Sequence, residues 1–339
     1  MKVAVWYGGK DIRIEEKPKP GIKVNQVLVR VRAVGVCGSE LHAYEGISRR
    51  RKPPLIMGHE FAGEVAEVRK EVKGIQESDR VVIEPIIRCG TCEQCISGRS
   101  NICINTRLIG LHTNGAFAEF VAVPVTNQYK IPDNVSFEEA SLVEPFSVGI
   151  HAVNLSSIKI GDYVAVVGDG VIGLTTLQAA KLAGAGRLIV IGHHDFRLNM
   201  ARQLGADVVI NSEREDPVDK ITKLSDAKGV DVVVEAVGSR TAVQQSMAMV
   251  KKGGVVTLVG MLEKTMELEM LNVVTEEIEI KGSYGFTSRD FKSALDLISA
   301  GKLNARSLIT HVFPLDHIKK GFEILAKREK GAIKVVIQP

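Results

Sequence analysis

The stretch DYVAVVGDGVIGLTTLQAAKLAGA, residues 162–185, decides how the second half of the chain folds. Val164 to Val167 form a short apolar run without alternation, the pattern of a strand buried on both faces. Glycines at 168, 170 and 173 follow, and then a helical composition. A lone GxGxxG is weak evidence, but a strand before it and a helix after it make it a phosphate-binding turn. Gly168 permits the tight turn, Gly170 lets the backbone approach a pyrophosphate, and Gly173 lets the helix pack close to the strand. Beside Gly173, the helix start at Val171 and Ile172 turns unpaired N–H groups and a positive dipole end toward the phosphates. Asp169 sets a negative charge between two of these glycines, and its side chain is expected to point outward.

Working outward, the same kind of strand recurs in RLIVIG, DVVI, VDVVVEAVG and GVVTLVG. Between these strands lie helical stretches, LTTLQAAKLAGA, RLNMARQLGA and TAVQQSMAMVKKGG. The alternation predicts a doubly wound parallel sheet, so the class is α/β. Residues 1–150 read differently. Runs such as QVLVRVRAVGVCG and FAGEVAEV are valine- and glycine-rich, with short alternation, and predict a barrel-like β region with irregular loops. Near the end Phe291, Ala294, Leu295 and Ile298 recur at helical spacing on one face.

The length, 339 residues, suits roughly two domains of about 150 residues each. A net charge of +4, with 25% of residues charged, gives no whole-molecule signal for nucleic acid or an anionic membrane. The first twenty residues hold no apolar core of a secretory signal, and no run approaches the roughly 18 apolar residues of a membrane span. A soluble, cytoplasmic protein is expected.

In a reducing compartment closely spaced cysteines more often bind metal than each other. CGTCEQCISGRSNIC, residues 89–103, holds four of the five cysteines, Cys89, Cys92, Cys95 and Cys103. Two-residue gaps let neighbouring thiolates turn onto one ion, and the longer loop brings the last sulfur to the fourth tetrahedral corner. A closed shell of four thiolates leaves no place for a substrate, so the expected zinc is structural. A redox pair would need only two of these cysteines. A nucleic-acid-binding zinc ribbon joins two knuckles across a longer gap than this lobe has.

Together these motifs resemble the zinc-containing medium-chain alcohol dehydrogenases, in the branch of the sorbitol, butanediol and sugar-acid dehydrogenases. The resemblance rests on GVCGSELHAYEG (35–46), MGHEFAGEV (57–65), the cysteine lobe, EPFSVGIHAV (144–153), the dinucleotide turn and DFKSALDLISAGKL (290–303). It implies a GroES-like β-rich catalytic domain over 1–152 and 288–339, carrying the structural zinc lobe at 86–104. A Rossmann domain is implied over 153–287.

The resemblance also gives the lone cysteine a role. Cys37 and His59 match the ligands of a catalytic zinc, with Glu60 and Glu144 as the two candidate carboxylates, so two zinc ions per chain are implied. Ser39 would hydrogen-bond the substrate oxygen and His42 pass the proton outward. Glu40 stands where the family usually has an aspartate beside the ligand histidine. The implied reaction is hydride transfer between a secondary alcohol and a nicotinamide, with zinc making the hydroxyl acidic.

An acidic residue about twenty positions past the glycines normally holds the ribose of NAD. Aligned on RLNMARQLGAD, that position falls on Gly192, and His193, His194 and Arg197 follow it. Room for a 2′-phosphate, with basic groups beside it, favours NADP(H) over NAD(H). The alternative is Asp195 swinging into the ribose site, with NAD used instead.

SRRRK, residues 48–52, is either a solvated loop or a cationic lure for an anionic substrate, through Arg49, Arg50 and Arg51. Tyr44 and Phe286 are either pocket walls or core. The expected substrate is a small polyol, sugar acid or related sugar. An L-threonine-type 3-dehydrogenase and a non-catalytic NADP-binding relative are the alternatives. Relatives assemble through the last strands of the Rossmann domain, here near GVVTLVGML and EIEIKGSYG, so a homodimer or homotetramer is implied.

Overall fold

The computed structural model describes residues 1–47, 50–261, 263–329 and 331–339. The chain divides into two compact units, Met1–Glu144 with Thr287–Pro339, and Pro145–Phe286.

The first unit is built on a seven-stranded sheet. Its order is Gln128–Lys130, Arg80–Ile83, Glu60–Glu67, Gln26–Gly35, Lys334–Gln338 and Ile309–Pro314, with Phe120–Pro124 also paired to Gln26–Gly35. In the central strand Val29 and Val31 are buried while Arg30 and Arg32 face water, the alternation of VRVR, whereas Val27 and Leu28 before them are buried on both faces. Past Arg32 the strand is buried on both faces. Its end matters most: Gly35 pairs with Glu60 on one side and with Val336 on the other. A side chain at Gly35 would run into the Glu60 carboxylate and the Lys334 stem, so the glycine makes the space in which those two charges meet. Phe61, Phe117, Tyr44 and Phe322 fill the core of this unit. Phe322 lies 5.1 Å from Tyr44 and 5.9 Å from Phe117, ring centre to ring centre.

The helix predicted by Phe291, Ala294, Leu295 and Ile298 is Ser288–Ser299, and all four are buried. Thr287 caps it in a reciprocal pair with Asp290.

The second unit holds six parallel strands in the order Val208–Asn211, Arg187–Gly192, Tyr163–Val167, Val230–Glu235, Val250–Leu258 and Glu279–Gly282. The chain starts at the third of these, winds outward to one edge, returns beside its starting strand and winds to the other edge. That is the doubly wound arrangement, whose ligands bind where the winding reverses, at the carboxyl ends of the strands. Ala165, Ile189, Ile210, Val233 and Val256 pack in its core. One expected helix is shorter than its sequence suggested: Arg240–Met249 stops before the lysines, and the strand starts at Val250. Val250 is β-branched and already extended, with ψ at 143°, so tertiary pairing with Val230 wins over the helical run.

Candidate active site

Cys37, His59 and Glu60 converge in the first unit, with one ligand atom from each lying within 4.8 Å of the others. Each is placed by a local device. Cys37 caps the short helix Gly38–Tyr44 in an extended conformation, and its sulfur accepts the Ser39 N–H at 3.5 Å. Gly58 turns the chain with φ at +99°, and a Cβ there would sit 2.8 Å from the Phe117 backbone nitrogen, so only glycine can aim His59 inward. Glu60 begins the strand opposite Gly35.

The Glu40 carboxylate joins these devices. Its Oε2 accepts the Cys37 N–H at 3.1 Å, while Oε1 accepts from Gly58 N at 2.8 Å and from His59 Nδ1 at 2.7 Å. One carboxylate thus closes the helix cap and also reaches the imidazole. With Nδ1 engaged, Nε2 is the His59 nitrogen left for a metal, the arrangement of carboxylate–histidine–metal triads. Burial opposes charge on Glu40, but His59, Arg51 and the Cys37 amide outweigh it and hold the carboxyl below its usual range. Burial likewise opposes charge on His59, yet Glu40 and Cys37 raise the imidazole well above its usual range. A sulfur, an imidazole and a carboxylate in a pocket that favours positive charge are the donor set of a zinc centre.

Two charged side chains near this cluster are not where, or what, the sequence suggested. Lys334, 1% exposed, donates to Glu60 Oε2 and to the Val36 carbonyl at 3.0 Å. Burial works against its charge, but Glu60 and Cys37 prevail and raise its pKa. Sequence reasoning missed it, although a lysine inside the apolar run AIKVVI is a visible irregularity. Arg51, read as part of an exposed cationic loop, is 5% exposed. Its guanidinium donates to Gly110 O at 3.1 Å, Ser39 O at 2.9 Å and Ser39 Oγ at 3.2 Å, and lies 3.8 Å from Glu40. The loop reading fails for Arg51 because a carboxylate and two carbonyls inside the fold outcompete water. Arg50 is exposed, and Arg49 lies outside the described residues.

Glu144 shares this electrostatic environment. Burial pushes its carboxyl up to about 7, against the pull of His59 and with the push of Glu60. Ser39 donates to the Cys37 sulfur at 3.4 Å, and His42, half-buried, lies three residues on along the same helix face. Burial holds His42 below the usual imidazole range. Tyr44 and Phe286 are core residues, each 1% exposed.

The second metal candidate is the cysteine lobe, where the four sulfurs also lie within 4.8 Å of one another. Cys89 Sγ is 3.5 Å from Cys103 Sγ and 4.0 Å from Cys95 Sγ. A tetrahedral zinc–thiolate shell with bonds of about 2.3 Å puts its sulfurs about 3.8 Å apart, so the spacing fits. The amides of Cys92 and Asn105 donate to Cys89 and Cys103, each at 3.4 Å. Backbone N–H groups of Thr91 and Cys92 pull the Cys89 thiol down to about 5, toward the thiolate a metal requires.

In the second unit Gly168 has φ at +122°, and a Cβ at Gly173 would strike the Gly168 carbonyl. Around Gly170 the space is open: a Cβ there would meet nothing within 4 Å. Gly170 is also the N-cap of helix Val171–Leu182 and has no side chain to cap it, so the helix's first N–H groups receive no acceptor from the cap residue's side chain. This is the form a pyrophosphate cradle takes.

Asp169 does not point outward; it is 4% exposed. It fills the place a side chain at 192 would take, since a Cβ on Gly192 would lie 2.5 Å from the Asp169 carboxylate. Asp169 Oδ2 accepts the N–H groups of His193 at 3.0 Å and His194 at 2.8 Å, the His194 ring approaches to 3.1 Å, and Arg197 lies 3.8 Å away. Asp195 bonds instead to Asn211 at 2.9 Å and Arg214 at 2.5 Å.

Comparison with known proteins agrees with this geometry. The zinc-binding dehydrogenase family model matches residues 171–300, and the alcohol dehydrogenase GroES-like domain model matches residues 23–133. Sorbitol dehydrogenase of Bacillus subtilis is 34% identical over 344 aligned positions, covering 100% of this chain and 97% of its own. L-threonine 3-dehydrogenase of Bacillus licheniformis is 36% identical, covering 95% and 94%. Among solved structures, a zinc-binding dehydrogenase from Sinorhizobium meliloti 1021, crystallised with NADP, superposes with a TM-score of 0.93 at 33% identity, over 100% of this chain and 99% of that one.

Proposed function

Because the chain belongs to the zinc-containing medium-chain alcohol dehydrogenases, in their polyol branch, and is therefore an oxidoreductase, we propose that it transfers hydride between NADP(H) and a polyol, sugar acid or related secondary alcohol. The observation that carries the proposal is the convergence of Cys37, His59 and Glu60 in a pocket that favours positive charge. These three residues would hold the catalytic zinc, with Glu144 beside them, and the four lobe cysteines would hold a structural one. When bound, the catalytic zinc supplies Lewis acidity at the substrate oxygen.

The rest of the task falls to the chain's own groups. Glu40 fixes the His59 ring, Lys334 restrains the Glu60 carboxylate, and Ser39 receives the hydroxyl proton that His42 hands to water. In the second unit the turn from Gly168 to Gly173 holds the pyrophosphate against the amides of Val171 and Ile172. NADP is favoured because position 192 carries no acid, while His193 and Arg197 offer donors for a 2′-phosphate. The acid that remains, Asp169, already has its Oδ2 engaged by two amides and an imidazole.

An oligomer, a homodimer or homotetramer, is proposed as well. Glu279–Gly282 is an edge strand, and the neighbouring helix Met270–Thr275 exposes Leu271 and Val274 at 73% and 72%. A monomeric mass by light scattering would remove that part of the proposal. No helix among the described residues is long and apolar enough to cross a membrane.

The L-threonine relative keeps a second substrate class in play, the β-hydroxyl of an amino acid. A panel of polyols, sugar acids and threonine, each with NAD and NADP, separates the two while zinc per chain is measured. Turnover of a polyol or sugar acid with NADP and two zinc ions per chain is expected. Threonine as the sole substrate would favour the second class, and one zinc with no turnover would overturn the dehydrogenase assignment.

A further inference from the structure

Among the described residues, Arg51 is a buried charged side chain beside the proposed active centre that neither the metal nor the cofactor accounts for. Burying a guanidinium costs several kcal/mol unless paired groups offset it, so its partners indicate its purpose. They belong to three segments that must stay in register. Nε donates to Gly110 O at 3.1 Å, and Gly110 packs its backbone against Gly58, the turn that aims His59. Nη1 donates to the Ser39 carbonyl at 2.9 Å and Nη2 to the Ser39 hydroxyl at 3.2 Å. The same Nη2 lies 3.5 Å from His59 Nδ1 and 3.8 Å from the Glu40 carboxylate that orients that ring.

The double contact with Ser39 has a stereochemical consequence. A serine hydroxyl has one proton and two lone pairs. Arg51 takes one lone pair and the hydroxyl proton goes to the Cys37 sulfur at 3.4 Å, so one lone pair is left at Oγ to accept from one further neighbour. We propose that Arg51 is a positioning residue that holds the Ser39 hydroxyl in the orientation needed to accept the substrate proton, with its charge balancing Glu40 behind the ligand histidine. This rests on the dehydrogenase reading above and on Ser39 meeting the substrate oxygen. A lysine could keep the charge, but as a single point it cannot grip the carbonyl and the hydroxyl together.

The test uses the full-length, zinc-loaded enzyme with Arg51→Lys, Ser39→Ala and the double variant. Zinc per chain and Tm are measured beside kcat and KM. In Arg51→Lys two zinc ions and a near-native Tm are expected, with kcat down about 10- to 100-fold, the equivalent of one charge-assisted hydrogen bond, and alcohol KM within about threefold. In the Ser39→Ala background the same change should cost less than about threefold, because the hydroxyl it positions is gone. An equal loss in both backgrounds, loss of a zinc ion, or full activity in Arg51→Lys would overturn the proposal. Full activity in Ser39→Ala would overturn the Ser39 reading with it. An inactive wild type on every alcohol would instead strike the dehydrogenase reading. Should Arg51→Lys fold poorly, Arg51→Gln, which keeps two donors without the charge, answers the same question through the same cycle.

Discussion

The cysteine lobe and the Cys37–His59–Glu60 centre are both candidate zinc sites within the first unit, but they are built in opposite ways. The lobe draws every donor from one fifteen-residue stretch and steadies its sulfurs with its own backbone amides. The mixed centre draws donors from residues 37, 59 and 60 and needs Glu40, Arg51 and Lys334 to hold them. A shell closed by four thiolates constrains itself; a shell that must leave a position open leaves its donors under-constrained, and other side chains have to orient them. In the mixed centre those side chains are buried charges. Each is tolerable only because its partner is present, which makes the centre far more sensitive to single changes than its small number of donors suggests.

The largest effect should come from the donors themselves. Cys37→Ala should cut kcat/KM by roughly a thousandfold or more, since zinc's charge stabilisation is worth several kcal/mol. It should also take one zinc ion per chain while leaving the lobe's ion in place. If mass spectrometry finds both ions bound and the enzyme still turning over, the two sites do not divide structure and catalysis as described. The next effect tests the supporting charges. Lys334→Met leaves Glu60 buried without its partner, and outer partners of metal ligands typically matter about 10- to 100-fold. A matching loss in kcat/KM is expected, with weakened retention of one zinc ion during dialysis against a chelator. Unchanged retention would mean that Lys334 serves packing alone.

What the sequence disclosed follows the same division. Spacing exposes sites whose parts are close in the chain, so the cysteine lobe and the turn at Gly168, Gly170 and Gly173 were readable from residue order. The parallel sheet was readable because strands buried on both faces write continuous apolar runs. Cys37 and His59 were not readable as a pair by spacing; they emerged only through likeness to a family. Lys334 stayed hidden because its partner Glu60 lies 274 positions away, a contact made by strand pairing that no local pattern records. Arg51 was misplaced for a related reason. Three arginines and a lysine in a row look like a solvated loop, and only the tertiary acceptors at Ser39 and Gly110 show that one of them turns inward. Asp169 shows that even a local motif has a nonlocal half, because its orientation depends on the empty side-chain position at Gly192.

That coupling gives a third, smaller test, midway between the two kinds of site. Gly192→Asp alone would collide with Asp169, so the informative variant is Asp169→Ala/Gly192→Asp. It restores an acid where NAD-binding folds carry one and removes the carboxylate that pins His193 and His194. The ratio of kcat/KM for NADP over NAD should shift toward NAD by roughly tenfold, the scale of one charge-assisted hydrogen bond. An unchanged ratio would move the choice of cofactor away from position 192.

The smallest effect on turnover should come from the site with the most donors. In Cys103→Ser the lobe loses one thiolate from a shell whose geometry its own backbone supplies, and nothing in that shell is assigned to the reaction. Its free energy of metal binding is free energy of folding, so the loss should appear as a Tm lower by on the order of 10 °C, several kcal/mol at this chain length. Per folded, zinc-loaded catalytic centre, kcat should stay within about threefold, since no reacting group is displaced. The contrast with Cys37→Ala is the decisive one: two cysteines of the same unit, one controlling rate and the other persistence. Were Cys103→Ser to lower kcat a hundredfold at a temperature where the protein is fully folded, the lobe would be shaping the active centre, and the separation of closed and open metal sites would not hold for this molecule.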